Sequence, residues 1–393
     1  MKKWGLLLVF ISFGAAAQEA SPWELSGYLK YLGSYSLVNE QFIPLEQQAA
    51  TATSSFDQQL HNRFDLRYYG GPWSAGIGMR NRLFQGTSPE QGESFYKLLD
   101  DDAGLVDLSF LYWKSDRVLM HTIFDRAWLQ YEKDKWSFRL GRQRINWGMT
   151  SVFNPNDLLN QYNFLDFDYE ERPGVDALRV QFFPNFSSQF ELALAPLNGS
   201  MHTAALLYRN NAYAYDFQVI TGVYDEHFTA GGGWAGSIGG LGFKGEANYY
   251  LPFNDKGEEV LVGSTDIDYV FTNGIYLSLG YLYNKSASEG LGVMGFNSLS
   301  DGQVLSPKNP FIFRHTTVLS LSYPFNPLIS GSLTSMYSPD GNSSIVFPSI
   351  TYSLSTNLDV LIAGQFFLAD NQQADDQYDW FVQSFFARLK WSF

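Results

Sequence analysis

Residues 60–69 read LHNRFDLRYY. Leu60, Phe64, Leu66 and Tyr68 fall on one parity, and His61, Arg63, Asp65 and Arg67 on the other. Successive side chains of an extended strand point to opposite faces, so one face of this segment is apolar and the other charged. The pattern recurs along the chain. Leu25, Gly27, Leu29, Tyr31, Gly33, Tyr35 and Leu37 alternate with Glu24, Ser26, Lys30, Ser34 and Ser36. Ile275, Leu277, Leu279, Tyr281 and Tyr283 share one parity, and Phe385, Ala387, Leu389, Trp391 and Phe393 stand opposite Ser384, Arg388, Lys390 and Ser392. A period of two held over about ten residues is the mark of a strand that crosses a membrane in a barrel, with lipid on one side and water on the other.

The composition agrees. Of 393 residues, 17% are aromatic and only 17% charged, with 35 glycines and no cysteine. The charged fraction is low for a soluble surface, yet the mature chain has no apolar run of helical membrane length. Lys2 and Lys3 precede an apolar run from Gly5 to Phe13 that ends in Ala15-Ala16-Ala17, the layout of a secretory signal peptide over residues 1–17. The run is too short for a transmembrane helix. Residues 18–393 are then expected to form one outer-membrane β-barrel, since only helices and closed barrels satisfy every backbone group in lipid. A soluble all-β sandwich or propeller is the competing reading. Without cysteine, lipoprotein anchoring, disulfides and Cys-ligated zinc are excluded, and no cofactor or metal is expected.

Connections separate the two readings. Tight turns are predicted at Gly70-Gly71-Pro72, Lys133-Asp134-Lys135, Pro184 to Ser187, Asn210 to Ala212, Gly236 to Gly239, Thr272 to Gly274, Pro324 to Pro327 and Ser355 to Asn357. The connections between them are mostly longer, above all 85–119, 146–174 and 285–310. Short turns alternating with long loops are the habit of outer-membrane barrels, whose short turns are periplasmic. The segments number about eighteen antiparallel up-and-down strands. Sixteen stays open because glycine-rich strands such as Phe228 to Ala235 are hard to delimit. Tyr68, Trp73, Trp136, Phe182, Tyr323 and Phe393 are outward in phase and lie beside short turns, where a girdle of aromatics would meet the headgroups.

Phase also sorts the charges. Lys30, Arg63, Arg67, Arg80, Arg82, Arg126, Arg139 and Arg179 are predicted to point inward from the first six strands, with Arg388 and Lys390 on the last. Asp216, Glu246, Asp266 and Asp268 are predicted to point inward from the far side. Opposed basic and acidic walls would set a transverse field across a pore, whereas internal pairing, such as Arg67 with Asp65 and Arg126 with Glu132, would fill the lumen with ion pairs. In residues 139–148, RLGRQRINWG, Arg139 is luminal, but Arg142 and Arg144 break phase. The strand is therefore expected to leave the hydrocarbon or bulge before them. The following segment carries Trp147, Phe153, Leu158, Leu159, Phe164 and Phe167, too apolar for a fully solvated loop, and is a candidate constriction.

Two stretches carry resemblances. The ending FFARLKWSF resembles the C-terminal strand of Gram-negative outer-membrane proteins, which implies that the barrel-assembly machinery recognises Phe393. Over residues 136–183, GRQ with WG (Arg142, Gln143, Trp147), then NPND (Asn154, Pro155, Asp157) and RPG (Arg172, Gly174), resembles a group of porin-like barrels akin to the alginate-export barrels. That resemblance implies a pore-lining role for these residues and leaves the cargo open.

The expected function is a porin-like channel for small charged or polar solutes through an arginine-lined lumen, with selectivity moving toward cations when Arg63, Arg67, Arg80 and Arg82 are neutralised. Polysaccharide export, a plugged adhesin or assembly barrel, and an outer-membrane hydrolase are the alternatives. The hydrolase would need a nucleophile and base at one height on the wall, but the five histidines are scattered, and His61 near Asp65 is expected to be a plain wall residue. Membrane lipid and lipopolysaccharide are the expected surroundings. The net charge of −14 argues against a nucleic-acid partner.

Overall fold

The computed structural model describes residues 21–42, 53–100, 102, 104–115, 117–160, 170, 172–196, 202–254, 257–287, 305–371 and 377–393. The expected signal peptide, residues 1–17, lies outside them. The strands are β1 (Trp23–Val38), β2 (Ser54–Gly70), β3 (Trp73–Gly86), β4 (Ser109–Ser115), β5 (Val118–Lys133), β6 (Trp136–Gln143), β7 (Val175–Asn185), β8 (Ser188–Pro196), β9 (His202–Ala212) and β10 (Tyr215–Tyr224). They continue as β11 (His227–Ile238), β12 (Leu241–Pro252), β13 (Val260–Val270), β14 (Tyr276–Asn284), β15 (His315–Asn326), β16 (Ile329–Ser338), β17 (Ser343–Ser355), β18 (Leu358–Asn371) and β19 (Gln377–Ser392).

Every pairing is antiparallel and joins sequence neighbours, except that β3 pairs with β5 past β4, from Trp73 opposite Tyr131 to Gln85 opposite Val118, and that β19 returns to β1 with Leu29 opposite Trp391 and Tyr35 opposite Phe385. Gly27 and Phe393 exchange both backbone hydrogen bonds at 3.0 Å, so the last residue completes the ladder. Eighteen strands form the closed wall, which settles the count left open between sixteen and eighteen. The nineteenth, β4, is a patch. It pairs with β5 from Ser109 opposite Ile123 to Ser115 opposite Val118, while β6 holds the other half of the same edge, from Ala127 opposite Arg142 to Lys133 opposite Trp136.

The sidedness is the predicted one. Leu60, Phe64, Leu66, Leu279 and Leu389 are exposed on the outer face, whereas Lys30, His61 and Arg63 are buried on the inner one. Aromatic pairs gather at the short-turn rim: Trp73 with Tyr131 at 4.7 Å, Trp136 with Phe182 at 4.5 Å, Trp23 with Tyr68 at 4.8 Å and Trp391 with Phe393 at 5.3 Å. The turn expected at Asn210 to Ala212 falls instead at Tyr213 and Ala214, both at positive φ, which matches the twist of a two-residue hairpin. On the opposite rim, the β10–β11 connection is just as tight, through Asp225 and Glu226, so the short-long alternation has an exception there.

Neighbouring positions on β15 provide a test of the faces. Leu319 is outward and Ser320 inward. Leu319→Arg is expected to lower unfolding stability in lipid by about 2–4 kcal/mol, the cost of arginine near the bilayer midplane, and Ser320→Arg by much less. Equal losses in urea titrations would contradict the face assignment.

Candidate functional site

Leaving β6, the chain turns into the barrel. Residues 144–160 lie against the inner faces of β8 to β13, held by a series of named bonds. Trp147 Nε1 donates to Glu191 Oε1 at 2.8 Å, and the Trp147 carbonyl accepts from Gln218 at 2.7 Å. Met149 N and Thr150 Oγ1 donate to Glu246 at 3.1 and 2.7 Å, and Ser151 N donates to Asp266. Asn156 Nδ2 donates to the Gly232 carbonyl at 2.9 Å, and the Pro155 carbonyl accepts from Tyr250 at 3.2 Å. The glycines that obscured β11 in the sequence serve this contact: a Cβ on Gly231 would stand 2.4 Å from Asn156 Oδ1.

Apolar packing reinforces the bonds. Ile145, Trp147, Phe153 and Leu158 are buried with Ala193, Ala205, Leu207, Ile220, Val262 and Leu282 from the wall. A second inward piece, Phe311, Ile312 and Phe313, joins this core, with Phe311 and Phe153 rings 5.6 Å apart. The long-loop half of the lumen beside β7 to β18 is therefore a hydrophobic core within the barrel.

This changes the predicted field. Glu246 and Asp266 lie beneath the folded-in segment as its anchors, Asp268 pairs with Lys244 at 3.0 Å, and Asp216 is exposed and accepts from Asn211. No acidic wall faces the basic one through these four residues. The expected pairings are also exchanged. Arg63, not Arg67, holds Asp65 at 2.6 Å, and Arg63 also holds Asp125 at 2.7 Å. Arg80 reaches Asp125 at 3.3 Å. Arg126 donates to the Asp125 and Arg172 carbonyls rather than to Glu132, which accepts from Gln130 and Ser137. Arg179 is bidentate to Glu191.

Arg142 is the other correction. It stays in β6, in step with outward Leu140, and no bulge precedes it. It escapes lipid because residues 104–108 cover it from outside: Asp102 pairs with it at 2.6 Å, Asp176 at 2.9 Å, and the Val106 carbonyl accepts from Nη2 at 2.7 Å. The patch strand β4 belongs to the same covering. Gln143 donates to the Ala177 carbonyl at 2.9 Å where β6 ends. Asn154 and Asp157 form the turn of the inward segment, and Asp157 pairs with Arg172 at 2.6 Å. Gly174 is required because a Cβ there would stand 2.2 Å from the Asp125 carbonyl oxygen.

Space remains on the basic side. A cavity of about 600 Å³ near the short-turn rim is lined by Arg63, Arg67, Arg126, Arg139 and Arg144, with Asp65, Gln130 and Glu132. Arg139 stacks 4.3 Å over the Trp128 ring. Among the described residues, no carboxylate pairs with Arg67, Arg139 or Arg144 within ion-pair distance. Phase reasoning assigned the first two to the lumen, but Arg144 lies beyond the strand and was placed only by its loop.

At the seam where β1 meets β19, Glu170 contacts Arg388 at 2.6 Å, Lys390 within hydrogen-bond distance and Lys30 at 3.8 Å. Burial acts to raise the Glu170 carboxyl, but Lys30, the bond from Lys390 and Arg388 outweigh it and hold it below its ordinary range. A depressed carboxyl stabilises the fold above its unfolded pKa of about 4.3 and loses that contribution as pH falls through the folded value. The thermal-stability difference between wild type and Glu170→Gln is therefore expected to be constant above about pH 5 and to vanish in stronger acid; a difference that changes between about pH 6 and 8 would contradict it.

His121 and Ser109 make a serine–histidine contact of 2.8 Å, the arrangement a hydrolase would use. The hydrogen bonds run the wrong way. Arg82 donates to His121 Nδ1 at 2.9 Å, so the network assigns the ring proton to Nε2, which donates to Ser109, which donates to Asp100 at 2.8 Å. The imidazole has no lone pair to offer the serine. His61, in turn, meets Tyr28 Oη at 3.3 Å rather than Asp65.

No protein-family model matches the chain, and no curated protein matches it by sequence. Solved structures do. Pseudomonas aeruginosa OccK9 (OpdG) aligns over 94% of this chain and 98% of its own, with a TM-score of 0.59 at 11% identity. The fold is that of the Occ porins. Acinetobacter baumannii OccAB4 aligns over the same shares with a TM-score of 0.56 at 10% identity, and Pseudomonas aeruginosa OccK7 (OpdD) with 0.55 at 9%. At such identities, the likeness is one of architecture and carries no residue's role.

Proposed function

We propose that this chain is an outer-membrane channel that passes small anionic solutes along the basic side of its lumen. The observation that carries the reading is the cavity against β2, β3, β5 and β6, where five arginines converge while the acids of the far wall are spent on holding the inward segment. A narrow space whose lining carries an excess of one sign of charge, here five arginines against Asp65 and Glu132, concentrates the opposite sign. Arg126 and Arg139 lie beside Gln130 and Trp128, so the lining combines cations with hydrogen-bonding and aromatic surface, suited to a small carboxylate or phosphate.

Proteoliposomes tested in isotonic solutions are expected to swell faster with acetate or gluconate salts than with a neutral sugar of similar size. Zwitterionic amino acids should fall between, and lysine should be slowest. A swelling order that followed size alone would reduce the reading to a general pore, and no swelling would remove the channel function.

A further inference from the structure

The outer wall carries one row that does not suit lipid. Across β1, β2, β3, β5 and β4, the residues in register are Leu29, Asn62, Asn81, Thr122 and Phe110, and the three at the centre are polar. The next outward row above reads Leu60, Leu83 and Met120, and the one below Phe64, Met79 and Phe124, so the polar group is enclosed by apolar side chains on the same face. Asn62 is six residues from Tyr68 of the aromatic rim, which at about 3.3 Å per residue and a tilt of about 40° puts it about 15 Å above that rim, inside an apolar band about 25 Å tall.

The Tyr112 hydroxyl donates to Thr122 Oγ1, whose own proton goes to Asn81 Oδ1 at 2.7 Å, and Asn81 Nδ2 donates to Asn62 Oδ1 at 2.9 Å. The chain of donors ends there: among the described residues, no acceptor meets Asn62 Nδ2. Hydroxyls elsewhere on the outer face close on their own wall, Thr265 on the Lys244 carbonyl at 2.9 Å and Thr317 on the Tyr337 carbonyl at 3.2 Å. A free amide N–H in hydrocarbon is costly, and acyl chains offer it no acceptor. A carboxamide is complementary to itself, because its nitrogen donates while its oxygen keeps a second lone pair. A symmetric pair of barrels inserted with the same sidedness has its two-fold axis along the membrane normal, and an axis beside Asn62 lets each amide donate to the other's oxygen. We infer that the outer face of β2 and β3 is an interface between two copies of this chain, closed by reciprocal hydrogen bonds between their Asn62 side chains. Exposed Leu29, Leu60 and Phe64 pack around that pair. The inference needs only a barrel in a membrane and is independent of what the lumen passes.

The chain has no cysteine, so single cysteines report contacts without background. The experiment is oxidative cross-linking of the full barrel diluted in liposomes, with folding confirmed by heat-modifiable mobility. Leu60→Cys, next to Asn62 on the outer face, is expected to form cross-linked dimers at least about tenfold faster than Leu319→Cys, outward on β15, the scale of a pair of hydrogen bonds in lipid. Adding Asn62→Leu to Leu60→Cys should bring the rate down to that of Leu319→Cys, whereas Asn62→Gln, which keeps a carboxamide, should retain most of it. Both substitutions lie on the lipid side and leave the inner face untouched. Equal rates for Leu60→Cys and Leu319→Cys would leave this face to lipid and overturn the inference. Fast cross-linking that survives Asn62→Leu would overturn it as well, because apolar packing alone would then close the contact.

Discussion

If the proposed anion channel is right, replacing Arg67, Arg139 and Arg144 together with glutamate is expected to turn its permeability from anions toward cations, with at least about a tenfold change in permeability ratio. A unit charge about 7 Å from a permeating ion contributes about 0.6 kcal/mol at the dielectric constant of water, and reversing its sign doubles the change. Screening at moderate salt reduces the sum of the three but not its sign. These residues carry the prediction because no carboxylate pairs with them among the described residues, and all three line the same cavity. The sequence pattern by itself favoured neutralising Arg63, Arg67, Arg80 and Arg82. The structure divides that set: Arg63 and Arg80 converge on Asp125, and Arg82 holds His121. Neutralising either member of the Asp125 cluster is expected to cost stability first, because a buried carboxylate would lose a partner. Reversal potentials of the triple variant decide the matter. A preference for anions that survives the substitutions would place the selectivity elsewhere.

The barrel was legible in the sequence wherever one face met lipid and the other water. In β2, Phe56, Leu60, Phe64 and Leu66 are exposed while His61 and Arg63 are buried, as alternation requires. It was less legible in β8 to β10 and in β11. There, Ala193, Ala205, Leu207 and Ile220 are apolar on the inner face as well, because residues 145–158 cover them. A strand greasy on both faces gives no period-two signal, and glycines that admit a loop look like a weak strand.

The same cause limited the site. Phase assigns a charge to the lumen, but it cannot say which acid will be covered by a returning loop. Glu246 and Asp266 read as pore-facing for that reason, although the apolar residues of 146–174 did mark that segment as one that packs inward. Arg142 misled for the converse reason. It obeyed the alternation, and what made an outward arginine acceptable was a cover from 102–108, a piece of chain some forty residues earlier.

Trp147→Ala is expected to release residues 144–160 from the inner wall while leaving the barrel intact. The indole is almost wholly buried, packs within the core formed by Ile145, Phe153 and the inner wall, and donates to Glu191. Truncating a buried tryptophan costs about 3–5 kcal/mol, whereas each hydrogen bond holding the segment contributes about 1 kcal/mol net. The loss is therefore comparable to several of the remaining fasteners together. Glu191 keeps its bidentate contact with Arg179 and bonds from Gln181 and Gln189, so the substitution strands no buried charge. The β-ladder makes no use of the indole, and the heat-modifiable electrophoretic mobility of a folded barrel should persist. What should change is the pore: single-channel conductance is expected to rise several-fold, with open-state noise as the segment departs from the inner wall. Glu246→Gln, which weakens only the anchor at Met149 and Thr150, should produce the same change in smaller measure. Unchanged conductance in Trp147→Ala, with the barrel folded, would mean that residues 144–160 do not set the width of the path.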